Sequence, residues 1–245
     1  MYNLIKKLVY QFVPKKMLIK NELFIRRVGY QFYKGNKHQC PICTKTNRSF
    51  QKNQRGENLC PNCGSMPRDR RLFTVFKHEI STEQPIRLLD FSPSRSLYRT
   101  FSNWHNIHYF PSDLSTDFIA EYQYDITNIP TENNYFDAVI CFHILEHVDN
   151  DILAMKELYR VLQPTGIALV QTPFKEGEIY ENPEIISPQD RLKHFGQEDH
   201  VRIYSVAGLT ERLKSVGFTV EQQTFDEDDY FGLNKGDIVL KLTKN

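Results

Sequence analysis

FDAVICFHILEHVDNDILAMKELYRVLQPTGIALVQTP, residues 136–173, decides the fold. Its first seven residues form a nearly unbroken apolar run, the mark of a parallel strand buried on both faces. Residues 150–162 then set Ile152, Leu153, Met155, Leu158, Val161 and Leu162 along one helical stripe. Pro164-Thr165-Gly166 reads as a turn and residues 167–171 as a further apolar strand. Strand, helix and strand in that order make the repeating unit of a parallel sheet covered on both faces. The flanking sequence continues the alternation. Residues 86–91, 106–110 and 122–125 read as strands, with helices over 68–80 and 94–102. Residues 206–215 read as a helix stopped by Gly217, and 218–225 and 237–242 as a closing pair of strands. The expected class is α/β, and ligands of such sheets bind beyond the carboxyl ends of the strands.

A chain of 245 residues with 40% hydrophobic and 25% charged residues buries an ample core, which excludes a mostly disordered polypeptide. No apolar run approaches the roughly 18–20 residues of a spanning helix. The amino terminus meets lysines before any apolar run is long enough for a signal-peptide core. A cytoplasmic protein is expected. The net charge of +1 conceals an asymmetry. Residues 1–39 carry nine lysines and arginines against Glu22 alone, a net of +8, so the remainder is −7. Leu4, Leu8 and Phe12 share one helical face, and Pro14 ends that helix. This basic amphipathic arm either docks on the body or meets a polyanion: an anionic membrane surface, where the protein would sit peripherally, or RNA.

Four of the five cysteines form two C-x2-C pairs, Cys40/Cys43 and Cys60/Cys63. Two residues between cysteines let one tight turn present both sulfurs to a single ion, and four thiolates suit tetrahedral zinc. The expected unit is a four-cysteine zinc ribbon over 40–67, its zinc structural because no coordination position stays open. Gly64 suits the positive φ such a turn needs, and Lys37, His38, Lys45 and Arg48 can offset the thiolate charge. Cys141, within an apolar run, is expected as a small buried side chain.

The order LLDF, SD, YDITNIP, YFDAVICFHILEHV, LYRVLQPTGIALVQTP and HVRIYSVAGLTERLKSVGF resembles the class I S-adenosylmethionine-dependent methyltransferases of the type 11-like kind, over residues 86–245. The resemblance implies a Rossmann-like seven-stranded sheet with an antiparallel last strand, in a methyltransferase domain over 68–245. It also implies S-adenosylmethionine as cofactor. Asp90 matches the acidic residue that reaches the cofactor's ammonium group. The glycines of the loop that follows do not match: Ser92, Ser94 and Ser96 stand there, and Arg95 joins them as a candidate donor to the cofactor's carboxylate. Asp113 matches the acid that accepts from the ribose hydroxyls, or else caps a helix over 114–120. Asp125 and Ile126 match the adenine position. The resemblance further implies that residues just past the fourth strand, from Phe142, face the transferred methyl group.

His143 is the first candidate base, because an imidazole titrates near neutrality. His147 is read as a packing or capping residue. Residues 174–204 are too long for a simple connection and read as a lid over the substrate, in which His194 and His200 are alternative bases. The expected reaction is methyl transfer to an oxygen or nitrogen acceptor, a small molecule, sugar or lipid-linked hydroxyl. The alternatives are an RNA methyltransferase using arm and ribbon, and a non-catalytic binding module whose serine-substituted loop no longer serves the cofactor.

Overall fold

In the computed structural model, which describes residues 21–53, 56–115 and 118–244, the chain divides into two units. One runs to Phe73 and takes in Glu227–Asn234; the other holds Thr74–Asp226 and Lys235–Asn245. The helix expected around Leu4, Leu8 and Phe12 lies outside the described residues.

Among the described residues the first unit opens with helix α1 (Glu22–Tyr30) and a 3-10 turn, Gln31–Tyr33. Strand β1 (Lys34–Gln39) pairs antiparallel with β2 (Thr46–Asn47), and β3 (Gln51–Lys52) with β4 (Asn58–Leu59). The two cysteine turns close identically. Cys40 N donates to Lys45 O and Thr44 N to Cys40 O; Cys60 N donates to Ser65 O and Gly64 N to Cys60 O. The residue after each second cysteine is left-handed, Thr44 at φ 59 and Gly64 at φ 81. Glycine is favoured at the second turn by its φ, and a Cβ there would also displace the Arg26 guanidinium, 2.7 Å away. Helix α2 (Pro67–Glu79) follows, its residues shared between the two units.

In the second unit, β5 (Ile86–Phe91), helix α3 (Arg95–Phe101), β6 (Ile107–Ser112), β7 (Phe136–Phe142), helix α4 (Asp151–Val161) and β8 (Leu162–Gln171) follow the expected alternation. Then come β9 (Tyr180–Glu181), helix α5 (Pro188–Phe195), β10 (Arg202–Ile203), helix α6 (Val206–Ser215), β11 (Thr219–Phe225) and β12 (Asp237–Thr243). The helix starts are written in the sequence: Ser94, Asn150, Ser187 and Ser205 each accept from a first-turn amide.

The main sheet has six strands in the order β11-β12-β8-β7-β5-β6, with β12 antiparallel to both neighbours. This corrects the expected seven. Residues 122–125 make only isolated bridges, Ser112 to Tyr122 and Asp125 to Asn128; the next donor along the ladder, Tyr124 N, goes to the Ser112 hydroxyl at 2.9 Å and the pairing with β6 stops. Residues 164–166 also differ: they lie within β8, where Thr165 at φ 65 and a register shift make an irregularity in place of a free turn. Residues Leu89, Val139, Cys141 and Val170 of the strands pack with Met155 and Leu158 of α4 and Leu209 and Leu213 of α6. Cys141 is fully buried, and burial pushes its thiol well up.

From β5 the chain moves through α3 to β6 on one side; from β7 it moves through α4 to β8 on the other. Right-handed crossovers put those two helices on opposite faces and open a crevice at the carboxyl ends of β5 and β7.

Candidate active site and metal centre

The carboxyl ends of β5 and β6 bring two of the expected residues into contact. Ser92 stands at φ 50, its amide donates to Ser112 O at 2.7 Å, and its hydroxyl donates to Asp113 Oδ1 at 2.7 Å. Asp113, buried, also accepts from the Ser115 hydroxyl at 2.9 Å and from Phe118 N at 3.4 Å. No helix follows Asp113 among the described residues. Asp90 is buried at the end of β5 and accepts from the Tyr109 hydroxyl at 2.7 Å. Burial, with the Asp90 charge, holds that phenol well above its ordinary range. Ser94 caps α3 and lies 3.0 Å from the Ser96 hydroxyl. The loop therefore keeps, with a serine, the left-handed turn that glycine usually supplies, and two carboxylates flank it. That is a donor and acceptor set suited to an amino acid head group and a ribose.

Asp125 is exposed and closes a turn on Thr127, accepting from its amide at 2.8 Å and its hydroxyl at 2.7 Å. Ile126 beside it is buried among the core residues. Phe142, partly buried, ends β7 opposite Gln171 of β8. A groove of about 490 Å³ opens beside that strand end, lined by Gln171, Thr172, Phe174, Lys175, Ala207 and Gly236 among others. Gln171 Oε1 and Thr172 Oγ1 are buried with no hydrogen-bond partner among the described residues.

His143 follows at φ 58, its amide bound to Gln171 O at 2.8 Å and its Nδ1 3.4 Å from Glu146 Oε1. Glu146 lies in a 3-10 turn, Leu145–His147, and is 1% exposed. Burial pushes its carboxyl up, but the His143 imidazole, its own backbone amide and His147 together bring it below the ordinary glutamate range. His200 is buried edge-on to His147, ring centroids 4.6 Å apart. His194 lies apart from this group, at the exposed end of α5, with Nδ1 2.7 Å from the Tyr180 hydroxyl.

Within residues 174–204 the structure places β9, α5 and β10, and Arg202 serves as an anchor. Its guanidinium is buried and donates to the carbonyls of Leu145, Val148 and Asp149 and to Glu181 Oε2. Arg212 joins Glu181 to Asp151, which also accepts from the Tyr204 hydroxyl at 2.5 Å. One forked cation thus ties the Glu146 turn to β10. The sequence reading missed Glu146 and Arg202 as positioning residues. Glu146 had a signal, a carboxylate in an apolar strand exit; Arg202 was indistinguishable from its charged neighbours in the lid.

In the first unit, Cys40 Sγ lies 3.7 Å from Cys63 Sγ and Cys43 Sγ 3.8 Å from Cys60 Sγ, with all four sulfurs within 4.8 Å of one another. Tetrahedral zinc with bonds of about 2.3 Å sets its sulfurs about 3.8 Å apart, so the site fits that ion. The cation behind it is Arg70, which sequence reading passed over. It is fully buried, donates to Ser65 O at 2.7 Å, and stacks on Phe50 at 4.4 Å. The Ser65 hydroxyl is 3.3 Å from both Cys40 and Cys63 sulfurs. Burial lowers the Arg70 pKa, and the cysteines oppose that shift.

Residues 68–223 match the family described as "Methyltransferase domain", and the chain belongs to that family. A "Probable S-adenosylmethionine-dependent methyltransferase" of Mycolicibacterium smegmatis is 33% identical over 97 residues, 40% of this chain and 34% of that one. An uncharacterised protein of Methanocaldococcus jannaschii is 31% identical over 85 residues, 33% of this chain and 37% of that one. The matches thus span about a third of these relatives' length. Among solved structures, the [4+2]-cyclase SpnF superposes with a TM-score of 0.54 at 15% identity, covering 92% of this chain and 94% of that one. Phosphoethanolamine N-methyltransferase 2 of Haemonchus contortus, in complex with S-adenosyl-L-methionine, gives 0.51 at 14%, covering 71% and 52%. At such identities these two show the fold alone.

Proposed function

We propose that this chain is an S-adenosylmethionine-dependent methyltransferase acting on an oxygen or nitrogen of a small-molecule, sugar or lipid-linked acceptor. The observation that carries it is the left-handed Ser92 turn bonded to Asp113 at the carboxyl ends of β5 and β6. When bound, the cofactor supplies the electrophilic methyl group. Asp90 would hold its ammonium group, Asp113 the ribose, Ser92 and Ser94 the carboxylate, and Asp125 and Ile126 the adenine end. Arg95 would be a further donor to that carboxylate, and Phe142 would line the methionine end. The base is His143, with His194 and His200 as its alternatives. His143 is best placed, with the Glu146 carboxylate beside its Nδ1 to orient the ring. In-line transfer needs alignment above all, and the lid anchored by Arg202 would hold the acceptor and exclude water.

The four-cysteine cluster would hold one structural zinc. The +8 arm would meet an anionic membrane surface, a reading supported by exposed Phe24, Ile25, Val28 and Phe32 on and just after α1. Among the described residues no helix is long and apolar enough to cross a membrane.

The test is transfer of labelled methyl from S-adenosylmethionine into small-molecule, lipid and RNA fractions of an extract. The reading predicts label in the small-molecule or lipid fraction, abolished by Asp113→Ala. Label confined to RNA would move the acceptor to the nucleic-acid alternative. Cofactor binding without label in any fraction would favour the binding module.

A further inference from the structure

A buried carboxylate is normally hydrogen-bonded on both oxygens. Glu146, 1% exposed, has no hydrogen-bond partner of ordinary geometry on either oxygen among the described residues. Its nearest cationic group is His143 Nδ1 at 3.4 Å. His200, 4% exposed, has Nε2 buried and equally without a partner. One ligand atom from each of Glu146, His147 and His200 lies within 4.8 Å of the others. Two unsatisfied groups this deeply buried, converging with a third, point to something that takes lone pairs from all of them.

The surroundings fit a cation. Asp199 Oδ2 lies 3.1 Å from His147 Nδ1, and a proton held there leaves the ring's lone pair on Nε2. Metal-bound imidazoles are typically held in this way, by a carboxylate or a carbonyl on the far nitrogen.

We propose that Glu146, His147 and His200 form a binding site for one divalent transition-metal ion at the exit of β7. One carboxylate with two imidazoles suits Mn²⁺, Fe²⁺ or Co²⁺ better than Mg²⁺ or Ca²⁺, and three protein ligands leave positions open for oxygen donors. The site stands on its own geometry. Its role, which rests on the methyltransferase reading, is to take an acceptor oxygen into an open position and orient it.

The test is Mn²⁺ titration of the full chain loaded with a single equivalent of zinc, which the four thiolates take first, followed by electron paramagnetic resonance. Thiolates already holding zinc do not take up this hard ion. The proposal predicts one Mn²⁺ bound per chain with nitrogen hyperfine couplings from imidazole. Glu146→Gln and His200→Ala should each weaken binding by at least about tenfold. Melting with S-adenosylhomocysteine checks the fold of both variants, and if either fails to fold, the nitrogen couplings of the wild type still decide. Absence of bound Mn²⁺ at about millimolar concentration, or binding unchanged in both variants, overturns the proposal. Manganese binding without S-adenosylhomocysteine binding would uphold this site while the methyltransferase reading fell.

Discussion

Ser92 occupies a backbone conformation that disfavours every side chain, and it does so to place a hydroxyl on Asp113. The left-handed region costs a non-glycine residue about 1–2 kcal/mol. A hydrogen bond to a charged group returns about 1.5–3 kcal/mol. The two substitutions that separate these effects have different outcomes. Ser92→Ala loses the bond and keeps the strain, whereas Ser92→Gly loses the bond and relieves it. Chemical denaturation should therefore rank wild type above Ser92→Gly, and Ser92→Gly above Ser92→Ala by about 1 kcal/mol. Equal stability of the two variants would show that the turn carries no strain. The position was legible in the sequence as a departure from glycine. The departure concealed a repair, because a motif records residue types and says nothing of φ.

Elements were legible where one physical signal dominated. The apolar runs of β5 and β7 and the stripe of α4 appear nearly as read, since burial alone dictates them. The segment 122–125 was misread because its aromatic residues promise a strand, while the Ser112 hydroxyl takes the donor that would extend the ladder. The lid was misread in detail for the opposite reason: its charges looked solvated, yet Arg202 is buried and satisfies three carbonyls and Glu181. Removing one partner of such a group leaves the others unpaired, so Arg202→Ala should destabilise the second unit by about 3–5 kcal/mol. Arg202→Lys should recover little, because an ammonium cannot reach the same fork of acceptors. Full recovery with lysine, measured by urea denaturation, would show that charge matters there and geometry does not.

Over the whole molecule, charge sets the pH range over which the fold persists. Glu79 has Lys241 Nζ at 2.6 Å and Gln223 Nε2 at 2.8 Å. Burial raises its pKa, but those partners and His78 outweigh it and bring the value from 4.5 to about 2. A depressed folded value stabilises above the unfolded one, so this contribution is complete above pH 4.5 and is lost as the pH falls toward 2. Lys241→Met should flatten that acid-side slope in urea midpoints measured against pH; an unchanged slope would remove Glu79 from the account. In the first unit, the convergence of the four cysteines was legible because C-x2-C spacing has few other uses, while Arg70 was not, being defined by carbonyls from Asn58 to Gly232 that only folding assembles. The candidate crevice has the same character: its residues were named from order along the chain, and the parallel pairing of β5 with β6 brings Ser92 and Asp113 together. The most direct measurement is thermal melting of the zinc-loaded full chain with and without S-adenosylhomocysteine. Ligand at a hundredfold excess over its dissociation constant adds about 2.7 kcal/mol to a fold that binds it. The account predicts a clear upward shift, lost in Asp113→Ala; no shift at about millimolar ligand would contradict it.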